Sequence, residues 1–417
     1  MVSYWFLVIG VVLVTMAFAS RWVARMPLSF SVLYLAAGYL LGPVGLGLFA
    51  PDLEAHAGVV TLLAEVAVLI SLFAVGLRLR LPPTWAAWRT PVKLASVTMV
   101  LTIAGNAVAA HLLLALPWSV ALLVGAILAP TDPVLASDVQ VQHPNDRDAL
   151  RLALTAEAGL NDGAAFPVVL LALVLMAETP HYVQWLTIDV LWAVVGGIAL
   201  GALCGTVLAH GVDRLRRSGT SLEFEEFLAF GLIAITYGVA LASSTYGFIA
   251  VFVAGIAFAR VEGARSRSAP REAAPAGAET TSRLLAFTTQ CERLAEVALV
   301  LLIGAALAAV DWNLRLVAFA VAVIALVRPL ATWLTVRDKD LPVHRRWLLG
   351  WFGIRGIGSL FYLAYALSHH EGDAWWSSAV IGATLVTIAL SITVHGISAK
   401  PLMRPLRQRR SNRAPTR

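Results

Sequence analysis

Residues 118–137 read WSVALLVGAILAPTDPVLAS, an apolar run long enough to cross a bilayer with an aspartate held between two prolines. About 20 helical residues span the roughly 30 Å of hydrocarbon in a membrane. Proline has no N–H, and its ring clashes with the carbonyl four residues earlier. Pro130 and Pro133 therefore disturb adjacent turns and predict an unwound helix around Asp132. Unwound backbone at membrane depth persists only where it is buried in protein or lines a cavity. Asp132 is thus expected to face an interior route, beside freed carbonyls able to ligate a cation. The competing reading is a proline-kinked structural helix.

The rest of the chain fits a membrane setting. It has 417 residues, 59% hydrophobic and only 13% charged, whereas a soluble chain carries about 25% charge. Apolar runs at 4–20, 28–49, 58–77, 92–116, 118–137, 149–177, 186–209, 224–242, 246–260, 285–309, 313–334, 346–367 and 375–396 predict about thirteen transmembrane helices. They are too long and unbroken for barrel strands. The apolar start precedes Arg21 and Arg25 and shows no small-residue cleavage site, so it reads as a retained helix and not a signal peptide.

Of 31 Lys and Arg residues, 28 fall in or beside the loops after odd-numbered spans or in the tail; the others are Arg315, Arg328 and Arg355. Loops after even-numbered spans carry Asp52, Glu54, Glu178, Asp189, Asp311, Glu371 and Asp373. Basic loops stay in the cytoplasm, which puts the N-terminus outside and the C-terminus inside. The net charge of +6 then reflects membrane orientation and not nucleic-acid binding. The basic tail, 401–417, can touch anionic lipid. Residues 261–284, rich in Ala, Pro, Arg and Glu, read as a flexible cytoplasmic loop.

Charge inside a bilayer is costly and marks function or a buried partner. Besides Asp132, the spans hold Glu157, Asp162, Arg328 and Arg355, with Glu65 a further candidate. Glu157 and Asn161 are four residues apart and share a helix face; Asp162 points about 100° away. Arg355 lies among Gly353, Gly356 and Gly358, where close backbone approach and a second helix break are expected. Spans five and twelve would then be interrupted helices, one in each of two six-span halves of opposite topology. Such inverted repeats belong to secondary transporters, which bind substrate where broken helices meet. The chain has no phosphate-binding loop and no His/Cys metal spacing, so no cofactor is expected. An intramembrane aspartyl protease would need a Gly-x-Gly-Asp sequence, which is absent; a passive cation channel is a further alternative.

Thr131-Asp132-Pro133, Glu157 with Asn161-Asp162, Arg328-Pro329 and Arg355-Gly356 together resemble the NhaP-type sodium/proton antiporters of the cation/proton antiporter 1 group. The resemblance covers nearly the whole chain. It implies an all-α, NhaA-like antiporter fold within residues 1–400, with crossing helices 5 and 12. Residues of about 1–90 and 224–309 would form a dimerisation part, about 92–177 and 313–396 a mobile core, and about 186–209 a linker helix. It further implies a homodimer in the inner membrane. Asp162 would bind Na⁺ or H⁺, assisted by Asp132 and the Thr131 carbonyl, while Glu157, Asn161 and Arg328 form a polar network and Arg355 and Glu65 support it. Several relatives have Ser where this chain has Ala158, which leaves K⁺/H⁺ exchange as the second reading. The relatives' electrogenic cousins carry Asp at the position of Asn161, so one-for-one, electroneutral exchange is expected.

Overall fold

The computed structural model describes residues 28–141, 146–177, 185–218, 224–268, 275–337, 341–370 and 374–411, with isolated positions between 10 and 26. Expected span 4–20 lies largely outside them. The other twelve expected spans all coincide with helical segments, and no strand occurs among the described residues.

In chain order the helices are α1 (Phe30–Leu41), α2 (Ala57–Arg78), α3 (Trp85–Leu114), α4 (Trp118–Ile127), α5 (Ala149–Met176), α6 (Ala193–Arg217), α7 (Glu225–Ala242), α8 (Gly247–Ser268), α9 (Pro275–Ala306), α10 (Leu314–Thr335), α11 (Val343–Trp351), α12 (Ile357–Ser368) and α13 (Ser377–Ser411). Among the described residues eight helices are long and apolar enough to cross a membrane by themselves, and α1, α4 and α12 are shorter apolar ones. α4 stops where the prolines begin, and residues 133–138 continue as hydrogen-bonded turns, not as a second helical half. α11 and α12 are two halves of one crossing, parted by extended chain at 352–355.

Local chemistry sets several boundaries. Asp148 caps α5 by accepting hydrogen bonds from the amides of Leu150 (3.0 Å) and Arg151 (3.3 Å). Asn313 does the same for α10 through Leu316 N (3.0 Å). Ala115, in the left-handed region with φ 57°, ends α3. The segment expected as a flexible loop, 261–284, is instead helical over 261–268 and 275–284, continuing α8 and leading into α9. Its Ala, Glu and Arg residues are strong helix formers and extend the flanking helices beyond the apolar runs.

Two wide, π-type stretches, Leu94–Thr98 in α3 and Ala322–Val327 in α10, follow Pro91 and precede Pro329. They fall in the fourth and eleventh expected spans, just as the breaks fall in the fifth and twelfth. Matching irregularities thus recur in the two halves of the chain.

The helices pack as two sets. One contains α1, α2, α6, α7, α8 and α9; the other contains α3, α4, α5, α10, α11 and α13, and α12 lies between the two, touching both. The sets meet mainly where α12 lies on α2, with α13 on α1 and α5 on α8. Inside the first set backbones approach closely at small residues, as membrane helices do when lipid is no worse a neighbour than leucine. Gly255 of α8 sits where a Cβ would lie 2.6 Å from the Phe73 carbonyl of α2, and Gly201 and Gly205 of α6 face the Ala250 and Ala254 backbones.

Gly255→Leu should therefore lower the thermal midpoint of the detergent-solubilised protein, at a cost of about 1–3 kcal/mol. Gly211→Leu, where a Cβ meets nothing within 4 Å, should leave it unchanged. Equal midpoints would show that the α2–α8 seam does not depend on this contact.

Candidate functional site

The breaks of α4 and of α11–α12 cross each other inside the second helix set. Asp132 N donates to Ile354 O at 2.8 Å, joining the two extended segments through their backbones. The side chains at the crossing then satisfy the helix ends that the breaks create. Asp132 Oδ1 accepts from the amides of Val134 (2.8 Å) and Leu135 (3.2 Å). Its Oδ2 accepts from Ile357 N and from Gly358 N (3.3 Å). A carboxylate thus caps the N-terminus of α12, where the helix dipole is positive.

The other end is handled by a cation. Arg355 Nε donates to Leu128 O (2.6 Å), just beyond α4, and Arg355 Nη1 donates to Gly353 O. Ser359 Oγ donates to Ile127 O (2.8 Å). Ser391 of α13 accepts from Arg355 N (2.8 Å), and its hydroxyl lies 3.1 Å from His395 Nδ1. His395 Nε2 in turn lies 2.8 Å from Trp351 O, at the end of α11. Apart from Trp351, which is half-buried, these residues are all buried.

Asp162 lies in α5 and is 0% exposed. Neither of its carboxylate oxygens has a hydrogen-bond donor among the described residues. The group faces the first turn of α12: a Cβ added at Gly358 would lie 3.2 Å from Asp162 Oδ1. Tyr362, one turn further along α12, donates its hydroxyl to Asp162 O. The carboxylate therefore stands beside the capped helix end, with no ion pair to it among the described residues.

Asn161 points the other way and ties α5 to the first break, donating to Thr131 Oγ1 (2.6 Å) and Thr131 O (3.3 Å). Glu157 pairs with Arg328 in an ion pair whose members are 0% and 1% exposed. Arg328 lies against the second break, where a Cβ at Gly353 would come 3.2 Å from its Nε. Asp132, Thr131, Glu157, Asn161, Asp162, Arg328 and Arg355 are thus one buried cluster around the crossing. Glu65 stands apart: it accepts from Tyr237 OH and lines a separate cavity of about 380 Å³.

Sequence reasoning passed over several participants. Ser359, Tyr362 and Ser391 carry no pattern that separates them from ordinary polar residues of apolar helices. Two carboxylates outside the cluster, buried Glu292 and half-buried Glu296, are four apart in α9. Glu292 pairs with Arg78 (2.6 Å), and Glu296 accepts from Ser31 Oγ (2.5 Å). Among the described residues no group of three His, Cys, Asp or Glu side chains is placed to hold a metal ion.

Two broken helical spans that cross inside the protein, with carboxylates at the crossing, are the arrangement found in secondary transporters. Residues 9–404 match the model of the family described as sodium/hydrogen exchanger, transmembrane, and the chain belongs to that family. It is 30% identical over 233 residues to a probable Na⁺/H⁺ antiporter of Schizosaccharomyces pombe, covering 54% of this chain and 31% of that one. It is 25% identical over 417 residues to the K⁺/H⁺ antiporter NhaP of Alkalimonas amylolytica, covering 96% and 66%. With the Na⁺/H⁺ antiporter NhaH of Halobacillus aidingensis it shares 26% over 308 residues, covering 72% and 71%. The chain thus spans less than two thirds of the first two relatives. In fold it is similar to the sodium proton antiporter MjNhaP1 of Methanocaldococcus jannaschii, with TM-score 0.73 at 18% identity over 95% of this chain and 97% of that one.

Stability should separate the two aspartates. Asp132→Ala strands buried amides in its own turn and at the start of α12 and should cost about 1–3 kcal/mol for each group left unpaired. Asp162→Asn removes a charge that no protein group compensates and should leave the thermal midpoint unchanged or higher. A larger loss for Asp162→Asn than for Asp132→Ala would contradict this division of roles.

Proposed function

We propose that this protein is a secondary active transporter that exchanges Na⁺ for H⁺ across the cell inner membrane by alternating access at Asp162. The observation that carries the reading is the Asp162 carboxylate, fully buried with neither oxygen hydrogen-bonded, beside a crossing where Asp132 and Arg355 bond to backbone and Glu157 pairs with Arg328. Burial penalises an ionised carboxylate, so the group is neutralised by whichever positive ion reaches it. Proton and metal ion compete for the same oxygens. If the surrounding helices cross between faces only when one of them is bound, transport is exchange.

Asp132 and the Thr131 carbonyl assist. The capped Asp132 cancels the positive end of α12, which would otherwise repel a cation; its four acceptor sites are taken by amides, so it assists through its charge. A hard monovalent ion suits this oxygen set. Glu157, Asn161 and Arg328 hold α5 against both breaks. The second helix set is the moving core, the first the dimerisation scaffold, with the N-terminus outside and the C-terminus in the cytoplasm. K⁺/H⁺ exchange is the second reading, favoured by Ala158, which lacks a side-chain oxygen, and by the K⁺/H⁺ relative from Alkalimonas amylolytica.

Proteoliposomes carrying a pH-sensitive dye test this with Na⁺, Li⁺ and K⁺ in turn. Asp162→Asn should abolish cation-driven pH change while the protein stays folded; persistence of exchange would remove Asp162 from the site. Glu157→Gln and Arg328→Gln should act mainly on stability, at roughly 3–5 kcal/mol, because each strands a buried charge. With one cation exchanged for one proton, a membrane potential clamped across the vesicles should leave the rate unaltered. Acceleration by the potential would overturn the one-for-one stoichiometry.

A further inference from the structure

The cavity beside Glu65 is not part of the helix crossing, yet one of its lining residues, Phe166, lies about one turn from Asp162 on α5. Its walls come from the N-terminal part of α2, the C-terminal ends of α7 and α12, the start of α8, and Phe166 of α5. Glu65 is the single carboxylate among the described lining residues. Tyr237 OH donates to it and fixes its position. The remaining wall is largely aromatic, and aromatic faces attract cations.

The floor is Phe166, four residues and so about 6 Å of helix rise beyond Asp162. Its ring centre lies 5.0 Å from that of Tyr365, 5.7 Å from Tyr246 and 6.1 Å from Tyr362. Tyr362 itself holds the Asp162 carbonyl. The aromatic floor therefore rests on the turn of α5 and α12 that carries the exchange carboxylate. A lone negative charge in a cavity with low-dielectric walls concentrates the field and raises the local cation concentration.

We propose that this cavity is the vestibule through which the metal ion reaches Asp162 from one face of the membrane, and that Glu65 is the capture carboxylate for that face alone. The proposal rests on the reading of Asp162 as the exchange site. The face is the one bearing Asp52, Glu54 and Asp311, which is the outer face in the orientation proposed above. Phe166 is the barrier the ion passes last.

Right-side-out and inside-out membrane vesicles, assayed at one pH, present opposite faces to added Na⁺. Glu65→Gln should raise the KM for Na⁺ about three- to ten-fold from the vestibule face and less than two-fold from the other. The maximal rate should fall far less than KM rises. The increase should shrink when choline chloride raises the ionic strength, and Glu65→Asp should restore most of the affinity. Leu241→Lys, which puts an ammonium group at the exposed mouth, should raise KM on the same face even if the glutamine variant fails to reach the membrane. An unchanged KM, or an equal rise from both faces, overturns the proposal. Exchange that survives in Asp162→Asn instead refutes the exchange site, whatever Glu65 does, so the two failures are distinguishable.

Discussion

Lipid offers no hydrogen bonds, so a helix broken at membrane depth must find partners for its free amides and carbonyls inside the protein. The whole centre of this molecule answers that demand. Asp132 takes four amides, two from its own turn and two from the start of α12. Arg355 and Ser359 take the carbonyls that end α4. Each break is completed by side chains from the other, so neither can form alone. The crossing is a mutual cap, and the charges used are of the signs that the two helix dipoles require.

With those charges spent on the backbone, the remaining acidity becomes meaningful. Glu157 is absorbed by Arg328, and Asn161 is occupied with Thr131. Asp162 is left as the carboxylate whose balance the protein does not supply. An ion-exchange site needs this kind of shortfall: a group fully paired within the fold would have no use for a transported ion.

Much of this was readable from local sequence. Proline acts on its own turn, so Pro130 and Pro133 announced the first break without any knowledge of the fold. The glycines around Arg355 announced the second, and the depth of Glu157, Asp162 and Arg328 within apolar runs marked them as buried. What stayed hidden was long-range. Nothing near Asp132 says that its oxygens cap residues 225 positions away, and nothing near Arg355 names Leu128. Glu292 and Arg78 were concealed for a different reason: both sit near the edges of their apolar runs, where charge is ordinary. Within 261–284 the described parts, 261–268 and 275–284, are helical because the helix propensity of their residues outweighs an irregular composition.

The glycine contacts described for the first helix set differ in kind from those between the sets. Within it, Gly38, Gly76, Gly201, Gly205 and Gly255 press against backbone atoms of neighbouring helices. Between the sets, Gly159 and Gly163 of α5 meet the flexible ends of Phe252 and Ile249. Interlocked main chains part only by unfolding, whereas a boundary of side chains can be renegotiated one rotamer at a time. Variation accumulating at Phe252 or Ile249 would therefore tune the speed of the machine, while variation at Gly255 or Gly201 would decide whether there is a machine at all.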